Sequence, residues 1–206
     1  MIKFVYFDVG GVVIRDFNKT DKWNQMKHDI GITKSNEKAF TKIWNEYERR
    51  LGIDYDVENL PILFSQKLGL VFPKNYSMLD DFASRFEQNK TIWQVITKIQ
   101  QNCRIGLLTN MYPLMLSKIK EKDLLPHIKW DVIVDSSKVG YVKPYKEIYT
   151  IAQERTQVNK EHILFIDNLV ENLTIPKKLG WKTFLYDSAD FEKSSRELEE
   201  YFGRVI

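Results

Sequence analysis

The sequence predicts an α/β fold: a mostly parallel sheet flanked by helices, with a helical segment inserted after the first strand. Three observations predict it. Short apolar runs of strand length alternate with amphipathic stretches through the second half of the chain, the pattern of strand–helix–strand crossovers. Polar residues stand where the strands end: Asp8, Thr109 with Asn110, and Asp167 with Asn168, joined by the loop pair Lys143-Pro144. Parallel strands share one direction, so those ends converge in one crevice at the carboxyl edge, where open α/β sheets bind ligands. Residues 16–88, finally, carry helical periodicity and no convincing strand.

The elements follow in order. Residues 3–7 read as the first strand, and Gly10-Gly11 let the chain turn sharply just beyond Asp8. Helical spacing covers 17–29, 36–51, 57–69 (Asp56 as N-cap, Gly69 as stop) and 77–88. A helix over 91–101 leads into the strand Arg104–Leu108, and a helix near 113–122 precedes the strand Val132–Val134. A helix near 145–157 leads to the strand Ile163–Ile166. A helix near 171–179 stops at Gly180, before the strand Lys182–Tyr186 and a last helix over about 189–202. The expected division is an α/β core over 1–15 and 89–206, with a helical cap over 16–88.

Composition narrows the function classes. The 206 residues suffice for a full core, and 43% hydrophobic with 29% charged residues is ordinary for a water-soluble domain. The net charge of +3 comes from 31 basic and 28 acidic side chains interleaved along helices. No basic stripe suits a nucleic-acid backbone, so no nucleic-acid partner is expected. No apolar run is long enough to span a bilayer and the first does not read as a signal peptide, so no membrane partner and a cytoplasmic location are expected. Cys103 is the single cysteine, which removes intrachain disulfides and Cys-rich metal sites; it reads as a small buried filler. His28, His127 and His162 show no ligand spacing and read as structural. Oligomeric state is not legible.

Four motifs carry the chemistry. They are Asp8-Val9-Gly10-Gly11-Val12 after a strand; Leu107-Leu108-Thr109-Asn110; Gly140-Tyr141-Val142-Lys143-Pro144; and Phe165-Ile166-Asp167-Asn168-Leu169-Val170-Glu171-Asn172. In this order and on these elements, the chain resembles the haloacid dehalogenase-like hydrolases, a superfamily dominated by phosphatases, over its whole length. The resemblance implies a Rossmann-like core with a four-helix cap, and a Mg²⁺-dependent phosphatase of small phosphorylated metabolites, sugar phosphates among them. Asp8 would be the nucleophile that forms an aspartyl-phosphate. Lys143 would supply positive charge and hold Asp8 ionised. Thr109, Asn110, Gly10 and Gly11 would bind the phosphoryl group, and Asp8, the Gly10 carbonyl, Asp167 and Asn168 would supply oxygens to Mg²⁺. Glu171 and Asn172 read as N-terminal helix residues rather than ligands, and Arg15 with Asp16 as a hinge salt bridge.

Two positions depart from the family pattern. Gly10 stands where the family's general acid/base aspartate belongs, and Asn168 where a carboxylate usually meets the metal. General acid–base help is worth about 10²- to 10⁴-fold, so poor leaving groups should suffer most. The double change also motivates a second expectation, a catalytically weak or inactive relative that binds a phosphorylated ligand or a protein partner. A dehalogenase is less favoured, because halide departure needs no metal and would leave Asp167 without purpose.

Overall fold

The computed structural model describes residues 1–205. Its elements in chain order are β1 (Phe4–Phe7), β2 (Ile14–Arg15), α1 (Lys22–Asp29), α2 (Glu37–Leu51), a 3-10 turn (Val57–Asn59), α3 (Leu60–Leu68), α4 (Met78–Ser84), β3 (Glu87–Gln88), α5 (Lys90–Gln100) and β4 (Arg104–Thr109). They continue with α6 (Met115–Glu121), β5 (Val132–Asp135), α7 (Ser136–Val139), α8 (Lys146–Thr156), a 3-10 turn (Lys160–His162), β6 (Ile163–Asp167), α9 (Val170–Leu179), β7 (Lys182–Leu185) and α10 (Phe191–Val205).

Five strands form one parallel sheet in the order β5-β4-β1-β6-β7. β1 lies at the centre and is wholly buried, as an apolar run covered on both faces must be. Its side chains alternate: Val5 and Phe7 join the core on one face, Phe4 and Tyr6 the core on the other. The chain leaves β1 toward β4 and leaves β6 toward β7, in opposite directions. β1 and β6 therefore flank the topological switch point, outside whose carboxyl ends a crevice opens. The first of the two cores runs on into the helical segment through Met26, Phe40, Phe64 and Phe82.

Several sequence expectations are corrected. A strand does occur before residue 89: Glu87–Gln88 pairs antiparallel with Ile14–Arg15, and the four helices α1–α4 are strung between the two arms of this ribbon. Strands of two residues are too short to show a period. The ribbon also ends α4 at Ser84, short of the expected 88. The first helix begins at Lys22 rather than 17, because Asp16 and Thr20 turn the chain through side-chain hydrogen bonds to Asn18 N and Phe17 O. Asp56 caps a 3-10 turn that precedes α3. The short α7 was not foreseen; Asp135 opens it by accepting from Ser137 N at 2.9 Å. Among the described residues, no helix is long and apolar enough to cross a membrane.

Candidate active site

Asp8 follows β1 directly, and its amide donates to Ile166 O at 2.9 Å, continuing the ladder to β6. Its Oδ1 accepts from Val9 N at 2.7 Å and lies 2.9 Å from Lys143 Nζ. The same ammonium lies 2.6 Å from Asp167 Oδ2, at the end of β6. All three groups are buried, Asp167 completely. Asn110 fixes the lysine's backbone from both sides: its Nδ2 donates to Lys143 O at 3.0 Å and its Oδ1 accepts from Lys143 N at 2.8 Å.

Electrostatics follow from one cation facing two carboxylates in a poorly solvated place. Burial pushes the Asp8 carboxyl up to about 7, against the opposing pull of Lys143. Lys143 acts in the expected direction, favouring the ionised form of Asp8, while burial and the neighbouring Asp167 act against it. Burial works against the lysine's charge as well, but Asp167 and Asp8 together hold its ammonium above the usual value.

Asp167 is held by more than the lysine. Its Oδ1 accepts from Leu169 N at 2.9 Å, and Asn172 Nδ2 lies 3.0 and 3.1 Å from its two oxygens. Asn172 does sit in the first turn of α9, as expected, but it is buried against Asp167 and orients it. A polar residue five positions after a strand-end carboxylate was the available signal. Asn168 donates to Ser188 Oγ at 3.0 Å, and Ser188 Oγ donates to Gly11 O at 2.7 Å. Ser188 follows β7, another loop at the same edge, and was missed in the sequence. Gly11 has φ +73° and a Cβ there would run into Asn168 and Ser188, so glycine is required.

A cavity of about 700 Å³ opens above these groups. Asp8, Gly10, Asn110, Lys143 and Asn168 reach its wall; Thr109, Gly11 and Asp167 lie outside the wall, with Thr109 buried at the end of β4. Much of the rest is apolar: Phe17, Phe82 and Phe86 come from the helical segment and Met111, Tyr112 and Met115 from beyond β4, with the Phe82 and Tyr112 rings 5.9 Å apart. Asp16 is also on the wall. Arg15 and Asp16 do not pair as expected: the Arg15 guanidinium lies 4.8 Å over the Phe191 ring, while Asp16 Oδ1 accepts from Asn18 N at 2.9 Å. Burial raises the Asp16 pKa, with the Asn18 hydrogen bonds opposing it.

The donor set suits a hard divalent cation. Two carboxylates (Asp8, Asp167), the Asn168 amide oxygen and the Gly10 carbonyl are all oxygen ligands, the kind Mg²⁺ takes together with substrate phosphate and water. Among the described residues, no cluster of three or more His, Cys, Asp or Glu occurs at this site or elsewhere. Cys103 is partly buried, donates to Ile99 O, and its thiol is pushed up to about 12 by burial and by Asp131. His28 and His127 are exposed, and His162 Nδ1 lies 2.8 Å from Met1 O.

A family model described as haloacid dehalogenase-like hydrolase matches residues 2–180. The D-ribitol-5-phosphate phosphatase of Bacteroides thetaiotaomicron is 26% identical over 194 residues, covering 89% of this chain and 91% of that protein. A HAD-like family hydrolase of Porphyromonas gingivalis superposes with a TM-score of 0.76 at 21% identity, over 96% of this chain and 98% of the other. A HAD family enzyme of Bacteroides thetaiotaomicron, solved with magnesium and inorganic phosphate, superposes with a TM-score of 0.74 at 16% identity, over 92% and 96% of the two chains. At those identities the two structures speak to the fold.

Proposed function

The chain belongs to the haloacid dehalogenase-like hydrolases, and from that membership we propose that it is a Mg²⁺-dependent phosphatase of small phosphorylated metabolites, sugar and polyol phosphates foremost, acting through an aspartyl-phosphate on Asp8. One observation carries the reading: a single buried ammonium, Lys143, on the wall of a substrate-sized cavity joins the wall carboxylate Asp8 to the wholly buried strand-end carboxylate Asp167. The phosphatase relative supports the reaction class, and the relative solved with magnesium and phosphate supports the cofactor.

The chain's own groups divide the work. Asp8 Oδ1 is engaged by Val9 N and Lys143, which leaves Oδ2 as the oxygen that attacks phosphorus. The bond from phosphorus to the leaving oxygen breaks as the bond to Asp8 forms, and water later cleaves the acyl phosphate. Lys143 provides preorganised positive charge for the phosphoryl oxygens. Asn110 fixes the lysine, and Asn172 fixes Asp167. Mg²⁺, held by Asp8, Asp167, Asn168 and the Gly10 carbonyl, would supply charge that offsets the phosphoryl oxygens.

The test is hydrolysis of p-nitrophenyl phosphate with MgCl₂ by the wild type and by Asp8→Asn. Turnover by the wild type that falls to the uncatalysed rate in the variant is expected; an active Asp8→Asn protein overturns the assignment. A second reading draws on Gly10 and Asn168 standing where the family carries aspartates. It is a protein that binds a phosphorylated ligand or a partner and turns nothing over. Thermal stabilisation by phosphate and Mg²⁺, without turnover across a broad substrate panel, would favour it.

A further inference from the structure

The leaving oxygen of an alkyl phosphate needs a proton, and Gly10 has no side chain to give one. Glycine at this position is not demanded by the backbone: unlike Gly11, Gly10 does not have a φ in the left-handed region. What a side chain at Gly10 would meet is a single residue. An added Cβ would collide with Asp16 Oδ2, and it would lie 3.3 Å from Asp16 Cγ; no other residue contributes to that contact. The space in which a side chain at position 10 would begin is occupied by the carboxylate of Asp16.

The loop brings the two positions together. Val12, Val13 and Ile14 amides all donate to Val9 O, and Gly11 N donates to Ile14 O, so the chain doubles back within a few residues of Asp8. Asn89 Nδ2 and Trp93 Nε1 fasten it from α5's side through Val12 O and Val13 O, at 2.6 and 3.0 Å. β2 then pairs with β3, and Asp16 is the next residue, facing back over Gly10 into the cavity. Asn18 fixes its carboxylate with three hydrogen bonds of 2.8–2.9 Å, one of them to Oδ2. Two other polar wall residues are less suited to the task. Glu48 is solvent-exposed on α2, and Tyr112 is a phenol whose pKa burial raises further.

We propose that Asp16 is the general acid/base of this protein, a catalytic residue that reaches from position 16 to the place beside Gly10. The proposal rests on the phosphatase reading. As Asp8 Oδ2 bonds to phosphorus and the leaving P–O bond breaks, the Asp16 carboxyl gives its proton to the departing oxygen. In the second half, the Asp16 carboxylate takes a proton from the water that attacks the aspartyl-phosphate, which releases inorganic phosphate and restores both carboxyls.

The experiment compares kcat/KM, which reports the chain of events through leaving-group departure, on p-nitrophenyl phosphate and on ribitol 5-phosphate. p-Nitrophenolate leaves without a proton; the sugar-alcohol oxygen does not. Asp16→Asn, which keeps the shape and an oxygen for the two Asn18 bonds to Oδ1, should lower kcat/KM on ribitol 5-phosphate by about 10²- to 10⁴-fold and on the aryl ester by less than about tenfold. Relocating the carboxyl supplies a second measurement. Gly10→Asp alone should give no gain, because Asp16 fills the space, whereas Gly10→Asp with Asp16→Ala should recover at least about tenfold of the alkyl activity that Asp16→Ala loses. Equal losses on both esters, or no loss, overturn the proposal and leave the phosphatase standing. A folded double variant as slow as Asp16→Ala overturns it too. A wild type that hydrolyses neither ester overturns the phosphatase reading, and this assignment with it.

Discussion

Lys143 serves two buried carboxylates with one charge, and that imbalance is the most consequential residue-level fact of the site. Removing one member of a buried ion cluster costs about 3–5 kcal/mol, because the remaining charges lose their compensation. Lys143→Met should therefore be destabilised by about that amount in EDTA, read by urea unfolding. Mg²⁺ should return part of the loss, since a cation held between Asp8 and Asp167 takes over the neutralising role; saturation at a hundred times Kd is worth about 2.7 kcal/mol. A variant as stable as the wild type in EDTA would show that the lysine does not compensate the pair. At the same scale, Cys103 should resist alkylation. Its thiol is pushed up to about 12, so the thiolate is scarce at pH 8, and iodoacetamide should modify the folded protein at least about tenfold more slowly than the urea-unfolded chain. Equal rates would mean that Cys103 is not held as the structure places it.

At the scale of elements, the helical segment depends on one side chain that sequence pattern does not reveal. Glu58, from the 3-10 turn before α3, accepts from Ser77 Oγ at 2.6 Å, Met78 N at 3.1 Å and Leu79 N at 3.0 Å, while Ser77 Oγ accepts from Asp80 N at 3.0 Å. A carboxylate and a hydroxyl thus satisfy the free amides that open α4. That helix carries Phe82 into the cavity wall. Charge-assisted bonds of this kind are worth about 1.5–3 kcal/mol, so Glu58→Ala should lower Tm by about 3–12 °C in a chain of this size. A shift below about 1 °C would remove Glu58 from the helix-capping role. Four of the five strands of the main sheet were legible as apolar runs, β7 being half polar, and the two carboxylates that face Lys143 were legible because Asp8 and Asp167 terminate such runs. The β2–β3 ribbon was not legible: Ile14–Arg15 and Glu87–Gln88 have no local period, and their pairing is a tertiary fact. Asp16 was obscured for the same reason. Beside Arg15 in sequence it suggests a salt bridge, and only the folded loop turns it toward Gly10.

At the scale of the molecule, the cavity is bounded by the sheet's carboxyl edge below and by the helical segment above, and this enclosure decides what kind of phosphate ester can be served. Asp8 reaches the cavity wall yet is buried, so a phosphoryl group must enter the cavity to meet Oδ2, and whatever it is attached to must lie within a lining that includes Phe17, Phe82, Phe86, Met111, Tyr112 and Met115. A volume of about 700 Å³ falls within the range that holds whole small ligands, roughly 300–1,000 Å³. A polypeptide substrate has no such fit, because its backbone continues in both directions from the phosphorylated residue and would have to displace those walls. We therefore expect kcat/KM for ribitol 5-phosphate to exceed that for a phosphoserine peptide by at least about 100-fold, a transition-state difference of about 2.7 kcal/mol. Phosphate release from both, measured with the same Mg²⁺ concentration, checks this. Comparable values would mean that the helical segment swings clear of the sheet edge during turnover, and that the cavity's walls do not select the substrate.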